Sequence, residues 1–402
     1  MKKISSENRI DTRGSESATA EDLHLLIEIT DQCNSRCIMC KQSTSKTMHR
    51  DFPKQHMETS LFIKIIEDMK DSNFNVASVD PMWNGESAIH PDFKEMMYYL
   101  FLINKNYSLF RGFVFNTNAI TMDEEVSEIF LDYARFIKKM GKNYFMRIYF
   151  SLDAARPGTY QKIKNIPGEN LEKVIKNIKY LIRRRKELKL DIPNLIFSFI
   201  VMPENKEDAS EFRDFWQNVL KDSGVLYETV PSWPLLVDRD SIYYRRLISN
   251  DSDEAEKLHR NTCLKLGLIE KYKIAKKEKN PKPKSSFRPP CGALWRTPNI
   301  ASNGNVVPCC RDTEFIMNLG NIKNQSLSDI WYGEKITQYR IAHIKGDFNV
   351  PPDVSPEVFR TCLNCLEPEG GTLSDKEIHA YLKSINKTEI MEMYLDRKVS
   401  AL

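Results

Sequence analysis

The stretch "LHLLIEITDQCNSRCIMCKQS", Leu23 to Ser43, decides the reading of the fold. Its first eight residues form an apolar run with β-branched residues, which predicts a buried strand. Directly behind the strand end come Cys33, Cys37 and Cys40. Thiolates bind zinc or iron–sulfur clusters. A structural zinc site wants four protein ligands, and this loop supplies three. His49 and His56 follow at no compact spacing. A [4Fe–4S] cluster held by three cysteines leaves one iron open to a ligand from outside the protein.

Working outward, strand-like and helix-like segments alternate from about Leu23 to Val230. "VASVDPMW", "LFRGFVFN", "YFMRIYFSL", "NLIFSFIVM" and "VLYETVP" follow as strands two to six. "TSLFIKIIEDMKDS", "HPDFKEMMYYLFLIN", "DEEVSEIFLDYARFIKKM", "NLEKVIKNIKYLIRRRKEL" and "KEDASEFRDFWQNVLK" read as helices. Six βα units with largely apolar strands predict a parallel sheet with helices outside. The fold class is α/β, with an open or partial (β/α)6 barrel or a doubly wound sheet as its two forms. In either, functional groups belong in loops after strand C-termini. The expected division is a polar tail over 1–21, a core over 22–232, connecting helices over 233–290, a small Cys-rich β-hairpin domain over 291–371 and a terminal helix over 372–402.

Composition narrows the function classes. The 402 residues are 41% apolar, enough for a sizeable core, and carry a net charge of +4 from 59 basic and 55 acidic residues. That balance does not point to nucleic acid. The run "KIAKKEKNPKPK" lacks aromatic residues for base stacking and reads as a solvated linker. No segment reaches the roughly 18 apolar residues of a spanning helix, and the first residues contain no apolar signal core. A cytoplasmic protein is expected. There its nine cysteines are more naturally metal ligands or catalytic thiols than disulfides.

The C-x3-C-x2-C segment after the first of six βα units resembles that of the radical S-adenosylmethionine (radical SAM) enzymes. In that family the open iron is chelated by the amine and carboxylate of S-adenosylmethionine. "WNGES", Trp83 to Ser87, is similar to the family's Gly-Gly-Glu-Pro motif, with Asn84 and Ser87 in place of the first Gly and the Pro. Glu86 keeps the acceptor for the methionyl ammonium group. "NTNA" with Asn118, "SLD" with Ser151 and Asp153, and Asn205 in "VMPEN" resemble later cofactor-binding segments. Met39 stands where the family usually has an aromatic residue. Each matching residue also has a bland reading: Glu86 as a turn cap, Asn118 as a turn residue, Asp153 as a helix N-cap.

A second set of cysteines lies in the last third. Cys291 is followed by twelve residues, Gly304, four residues and Cys309; Cys362 and Cys365 form a C-x2-C. "NIASNGNVVPC" reads as a hairpin turning at Asn303-Gly304. The pattern resembles the SPASM and twitch auxiliary-cluster domains, and its count fits the shorter twitch form with one auxiliary [4Fe–4S] cluster on Cys291, Cys309, Cys362 and Cys365. Cys310 is an alternative to Cys309, and Cys263 reads as a core residue. Four cysteines alone equally suit structural zinc.

The resemblance implies reductive cleavage of S-adenosylmethionine to a 5′-deoxyadenosyl radical that abstracts hydrogen from substrate. It also implies an electron donor such as a flavodoxin or ferredoxin. A small polar substrate, such as a sugar or aminocyclitol, is expected. A peptide substrate is the alternative, disfavoured because only about twenty residues precede strand one. A zinc-stabilised binding module is the non-enzymatic alternative.

Overall fold

The computed structural model describes residues 22–44, 54–141, 143–231, 239–248, 252–278, 287–348, 359–363, 365 and 371–400. The expected polar tail over 1–21, His49 and the 279–284 part of the basic run lie outside them.

Strands β1 (Asp22–Ile27), β2 (Asn75–Asp80), β3 (Phe110–Thr117), β4 (Phe145–Ser151) and β5 (Asn194–Val201) pair in sequence order, all parallel. Each crossover carries helices, as parallel pairing requires. The helix Glu124–Met140 shows why these segments fold as they do. Asp123 caps it, accepting from the Val126 amide; Glu124 and Glu125 open it and Lys138 and Lys139 close it, each sign opposed to the helix-end charge. Val126, Ile129, Phe130, Tyr133, Ala134 and Ile137 fall on one buried face. There Tyr133 stacks on Phe101 with ring centroids 3.9 Å apart, beside Phe113 and Phe115 of β3. Each such buried aromatic contributes about 1.5–3 kcal/mol relative to exposure.

The sixth position departs from expectation. The "VLYETVP" segment does form β6 (Tyr227–Val230), but β6 lies at the sheet edge. The strand beside β5 is β7 (Asp240–Arg246), within a segment read as connecting helices. A buried ion pair sets it there. Asp240 receives both terminal nitrogens of Arg185, at 2.8 and 2.6 Å, and the Leu195 amide of β5 at 2.8 Å. The helices Ser252–Lys265 and Ile269–Glu278 then follow as expected.

A second departure joins the two cysteine regions. The expected hairpin is present as β8 (Asn299–Ile300), β9 (Asn305–Val307) and β10 (Gly320–Asn321), antiparallel to one another. Its β8 pairs in parallel with β1, giving one open sheet in the order β10-β9-β8-β1-β2-β3-β4-β5-β7-β6. The sheet is a partial barrel. One face packs on the helices. The other carries a separate small cluster of Tyr149, Ile196, Tyr243 and Val230, with Val114 against it, which marks the barrel's inner wall.

Candidate functional site

The cysteine loop leaves the C-terminal end of β1 and is held from three sides. The Arg36 and Ile38 amides donate to the carbonyls of Lys164 and Ile163, at the end of the helix Pro157–Lys164. Asp31 accepts from the Gln55 amide at 2.7 Å, and its carbonyl accepts from Gln42 Nε2 at 2.7 Å. The Cys40 amide donates to the Cys37 carbonyl, a turn that brings these two residues together, and the Ser35 amide donates to Cys33 Sγ at 3.4 Å. Burial pushes the Cys33 thiol up to about 11, with Glu86, Cys37 and Cys40 adding to the rise. Burial raises Cys37 as well, opposed by the positive charge of Lys164. Thiols in such a setting ionise when a metal supplies the charge.

The "WNGES" turn lies against this loop. The Glu86 amide donates to the Gln32 carbonyl at 2.8 Å. Gly85, at φ +81°, makes the approach possible: a Cβ there would sit 2.4 Å from the Gln32 oxygen and 2.7 Å from that of Thr30. Asn84 and Ser87, the two departures from the family motif, each have a local partner. Asn84 Nδ2 donates to Glu28 at 2.8 Å, and Ser87 Oγ donates to the Pro81 carbonyl at 2.6 Å.

Glu86 is buried. Its carboxylate accepts from Thr117 Oγ1 at 2.7 Å and from the Asn118 amide at 2.6 Å. Burial raises its pKa to about 6, against the lowering effect of these hydrogen bonds. Asn118 Nδ2 returns to the cysteine loop, donating to Asn34 Oδ1 at 2.6 Å and Ser35 Oγ at 3.3 Å. The structure therefore brings the cysteine loop, Glu86 and Asn118 into one continuous network.

Ser151 stands at the end of β4, paired in register with Ser198 of β5. Asp153 and Asn205 are turned inward. The Asp153 carboxylate accepts from Lys164 Nζ at 2.7 Å and from the Ile200 amide at 2.7 Å. Asn205 donates to the carbonyls of Asp153 and Ile200, each at 2.8 Å, and accepts from the Met202 amide. Their polar groups bind strands β4 and β5 to each other beneath the cysteine loop. Lys164 escaped sequence reasoning, since a lysine in a helix's last turn is ordinary. Burial works to lower its pKa, but Asp153 and Cys37 raise it overall.

Sequence reasoning also missed Asp80, at the end of β2. One carboxylate oxygen accepts from Asn116 Nδ2 at 3.0 Å. Burial holds this carboxyl well above the usual range, against the lowering effect of Asn116 and of the Met82 amide. Its charge reaches Tyr149 on the inner wall, which also senses Arg147 and Tyr243. The alternation of β2 residues could have exposed it, because Asp80 is a charged residue ending a strand that is buried over Val76–Val79.

In the second set, Cys362 senses the charges of Cys309, Cys291 and Cys365, and Cys291 those of Cys309 and Cys365. Cys309 is thus charge-coupled to Cys291 and Cys362. Arg288 donates to the carbonyls of Leu363 and Cys365, both at 3.3 Å, beside the C-x2-C. Burial pushes Cys291 up to about 12. No three ligating groups among the described residues converge on a single-ion position; a four-iron cluster spreads its cysteine sulfurs wider than one ion does. The donor sets, three thiols of which Cys40 is exposed and four that are buried or half-buried, fit iron–sulfur clusters.

Comparison with known proteins bears on both regions. The radical SAM superfamily matches residues 27–215, and the SPASM iron–sulfur cluster-binding domain matches residues 291–366. The "tungsten-containing aldehyde ferredoxin oxidoreductase cofactor-modifying protein" of Pyrococcus furiosus is 25% identical over 341 residues, 79% of this chain and 83% of its own. Among solved structures, Streptococcus suis SuiB bound to the precursor peptide SuiA aligns with a TM-score of 0.50 at 15% identity, covering 83% of this chain and 70% of that one. The structure of anSMEcpe with bound AdoMet aligns with a TM-score of 0.50 at 14% identity, covering 94% of this chain and 99% of that one. The chain thus contains a radical SAM superfamily domain over residues 27–215 and a SPASM iron–sulfur cluster-binding domain over residues 291–366.

Proposed function

We propose that this enzyme cleaves S-adenosylmethionine reductively and oxidises or otherwise modifies a small polar substrate held against the inner wall of the partial barrel. Cys33, Cys37 and Cys40 would hold the first [4Fe–4S] cluster. Glu86 would accept from the methionyl ammonium, and Asn118 and Ser151 would meet the rest of the cofactor. Asp153 and Asn205 would act behind them by fixing the strand ends. Cys291, Cys309, Cys362 and Cys365 would hold one auxiliary [4Fe–4S] cluster, the twitch count. Bound together, cluster and S-adenosylmethionine supply a 5′-deoxyadenosyl radical that takes hydrogen from an unactivated carbon; the protein's part is to orient the reactants and exclude water. A one-electron donor of the flavodoxin or ferredoxin kind is needed. The proposed division is a core over residues 22–232 and a cluster domain over 291–371, supported by the family matches over 27–215 and 291–366.

The observation that carries the substrate class is Asp80. Burial of this carboxyl costs free energy that Asn116 and the Met82 amide offset in part, and a hydroxyl or amine on a substrate would offset more. Tyr149, Tyr243 and Arg147 add further polar tips to the same wall. A peptide substrate is the second reading, favoured by the likeness in fold to SuiB bound to its precursor peptide. The test separates an extract of the source cells into small-molecule and peptide fractions. Each is added to the reconstituted enzyme with S-adenosylmethionine and a reductant. The proposal expects the small-molecule fraction to stimulate 5′-deoxyadenosine formation, and expects Asp80→Ala to abolish that stimulation. Stimulation by the peptide fraction alone would refute it.

A further inference from the structure

The turn that carries Glu86 is fastened to the second domain by contacts that the cofactor site does not itself require. Trp83 Nε1 donates to the Cys310 carbonyl at 2.8 Å, one residue beyond Cys309. The Trp83 ring meets Phe315 edge-on at 5.6 Å between centroids. Asn84 donates to Glu28 Oε2 through its side chain at 2.8 Å and its amide at 3.3 Å. Glu28 is fully buried. Its other oxygen accepts from the Ser302 amide of the hairpin turn at 3.2 Å. Its own amide donates to the Ile300 carbonyl at 2.8 Å, continuing the β1–β8 pairing.

One carboxylate thus bridges the Glu86 turn and the β8–β9 turn, while the indole bridges the same Glu86 turn and the Cys309–Cys310 segment. Glu86 and Trp83 are three residues apart in a tight turn. Gly85 between them lies directly against the backbone before Cys33, where even a Cβ would not fit, so a shift of the Cys309–Cys310 segment has a short route through this turn to Glu86.

We infer that Trp83, Asn84 and Glu28 are positioning residues that couple the auxiliary-cluster domain to the S-adenosylmethionine site, so that a filled auxiliary site strengthens binding of S-adenosylmethionine. This rests on the function proposed above. The coupling is reciprocal, since linkage between two binding sites must be. It would keep radical generation waiting until the electron-transfer cluster is in place.

The test uses anaerobically reconstituted full-length protein and S-adenosylmethionine itself, with affinity measured by equilibrium dialysis and first-cluster occupancy by electron paramagnetic resonance. Trp83→Phe and Glu28→Gln should each weaken binding about five- to tenfold, the scale of one or two lost hydrogen bonds. KM for S-adenosylmethionine should rise more than kcat falls. A Cys362→Ser/Cys365→Ser variant, lacking the auxiliary cluster, should weaken binding by a similar factor, and adding Trp83→Phe to it should weaken it little further. Wild-type affinity in both Trp83→Phe and Glu28→Gln would overturn the inference, as would full additivity of Trp83→Phe with the cluster-lacking variant. If Glu28→Gln fails to fold, Trp83→Phe alone decides. A wild-type protein that binds no S-adenosylmethionine refutes the underlying functional reading instead.

Discussion

Replacing Gly85 by alanine makes the sharpest test of how the Glu86 turn and the cysteine loop fit together. At φ +81° the new Cβ points at the loop backbone, 2.4 Å from the Gln32 oxygen, 2.7 Å from the Thr30 oxygen and 2.9 Å from the Asp31 carbonyl carbon. Ordinary contact begins at 3.4 Å, so the Gln32 carbonyl must withdraw by about 1.0 Å, the difference of the two. All three atoms belong to backbone immediately before Cys33, and no flexible side chain is there to yield. The left-handed conformation adds about 1–2 kcal/mol for an L-residue. A misplacement of about 1 Å in a positioned reactant costs on the order of 100-fold in rate. Gly85→Ala should therefore lower 5′-deoxyadenosine formation by about that factor, read by chromatography under anaerobic, reducing conditions. Gly141→Ala is the control. It has a similar positive φ of +98° but nothing within 4 Å, so it should lose stability and keep activity. A Gly85→Ala enzyme within twofold of wild type would refute the packing argument.

Three other outcomes follow from the geometry. Glu86 has its pKa raised to about 6 from 4.5; its carboxylate form is lost as pH falls through about 6, so affinity for S-adenosylmethionine should drop below that pH and Glu86→Gln should remove the dependence. For stability the sign is reversed. Burying the charged form disfavours the fold by about 2 kcal/mol above pH 6, and acid relieves it below 4.5, which urea titrations across this range would reveal. Lys164→Met leaves Asp153 buried without its cation and should cost about 3–5 kcal/mol by denaturation, with Asp153→Asn in the same chain recovering part of it. Cys309→Ala should lose the iron of one cluster while Cys310→Ala retains it, by iron and sulfide analysis of the reconstituted proteins.

The sequence made much of this legible because its signals are local. The apolar run before Cys33, the caps of the helix Glu124–Met140 and the nearly continuous burial of β5 each follow from periodicity or from one residue's preference. What stayed hidden depends on partners far along the chain. "VLYETVP" has the same pattern whether it ends the sheet or lies within it, and the Arg185–Asp240 pair that holds β7 inside it joins residues 55 apart. The pairing of β8 with β1 spans more than 270 residues. Within the site, Cys33, Cys37 and Cys40 stood out as clustered thiols behind a strand, and Glu86 through the resemblance of "WNGES" to a family motif. Glu28, Trp83, Lys164 and Asp80 did not, since each looks like an ordinary strand, turn or helix residue until its neighbour is known. Asp153 and Asn205 were expected as cofactor contacts; that their polar groups tie β4 to β5 is visible only in the fold.

The central claim is that three cysteines stand after β1 because S-adenosylmethionine completes the coordination, while four cysteines close a second cluster. Anaerobic reconstitution followed by iron and sulfide analysis tests it most directly, with S-adenosylmethionine and a reductant then added. The account predicts about eight irons per chain, from two four-iron clusters, and 5′-deoxyadenosine as a product. A protein that takes up only zinc and forms no 5′-deoxyadenosine would contradict it.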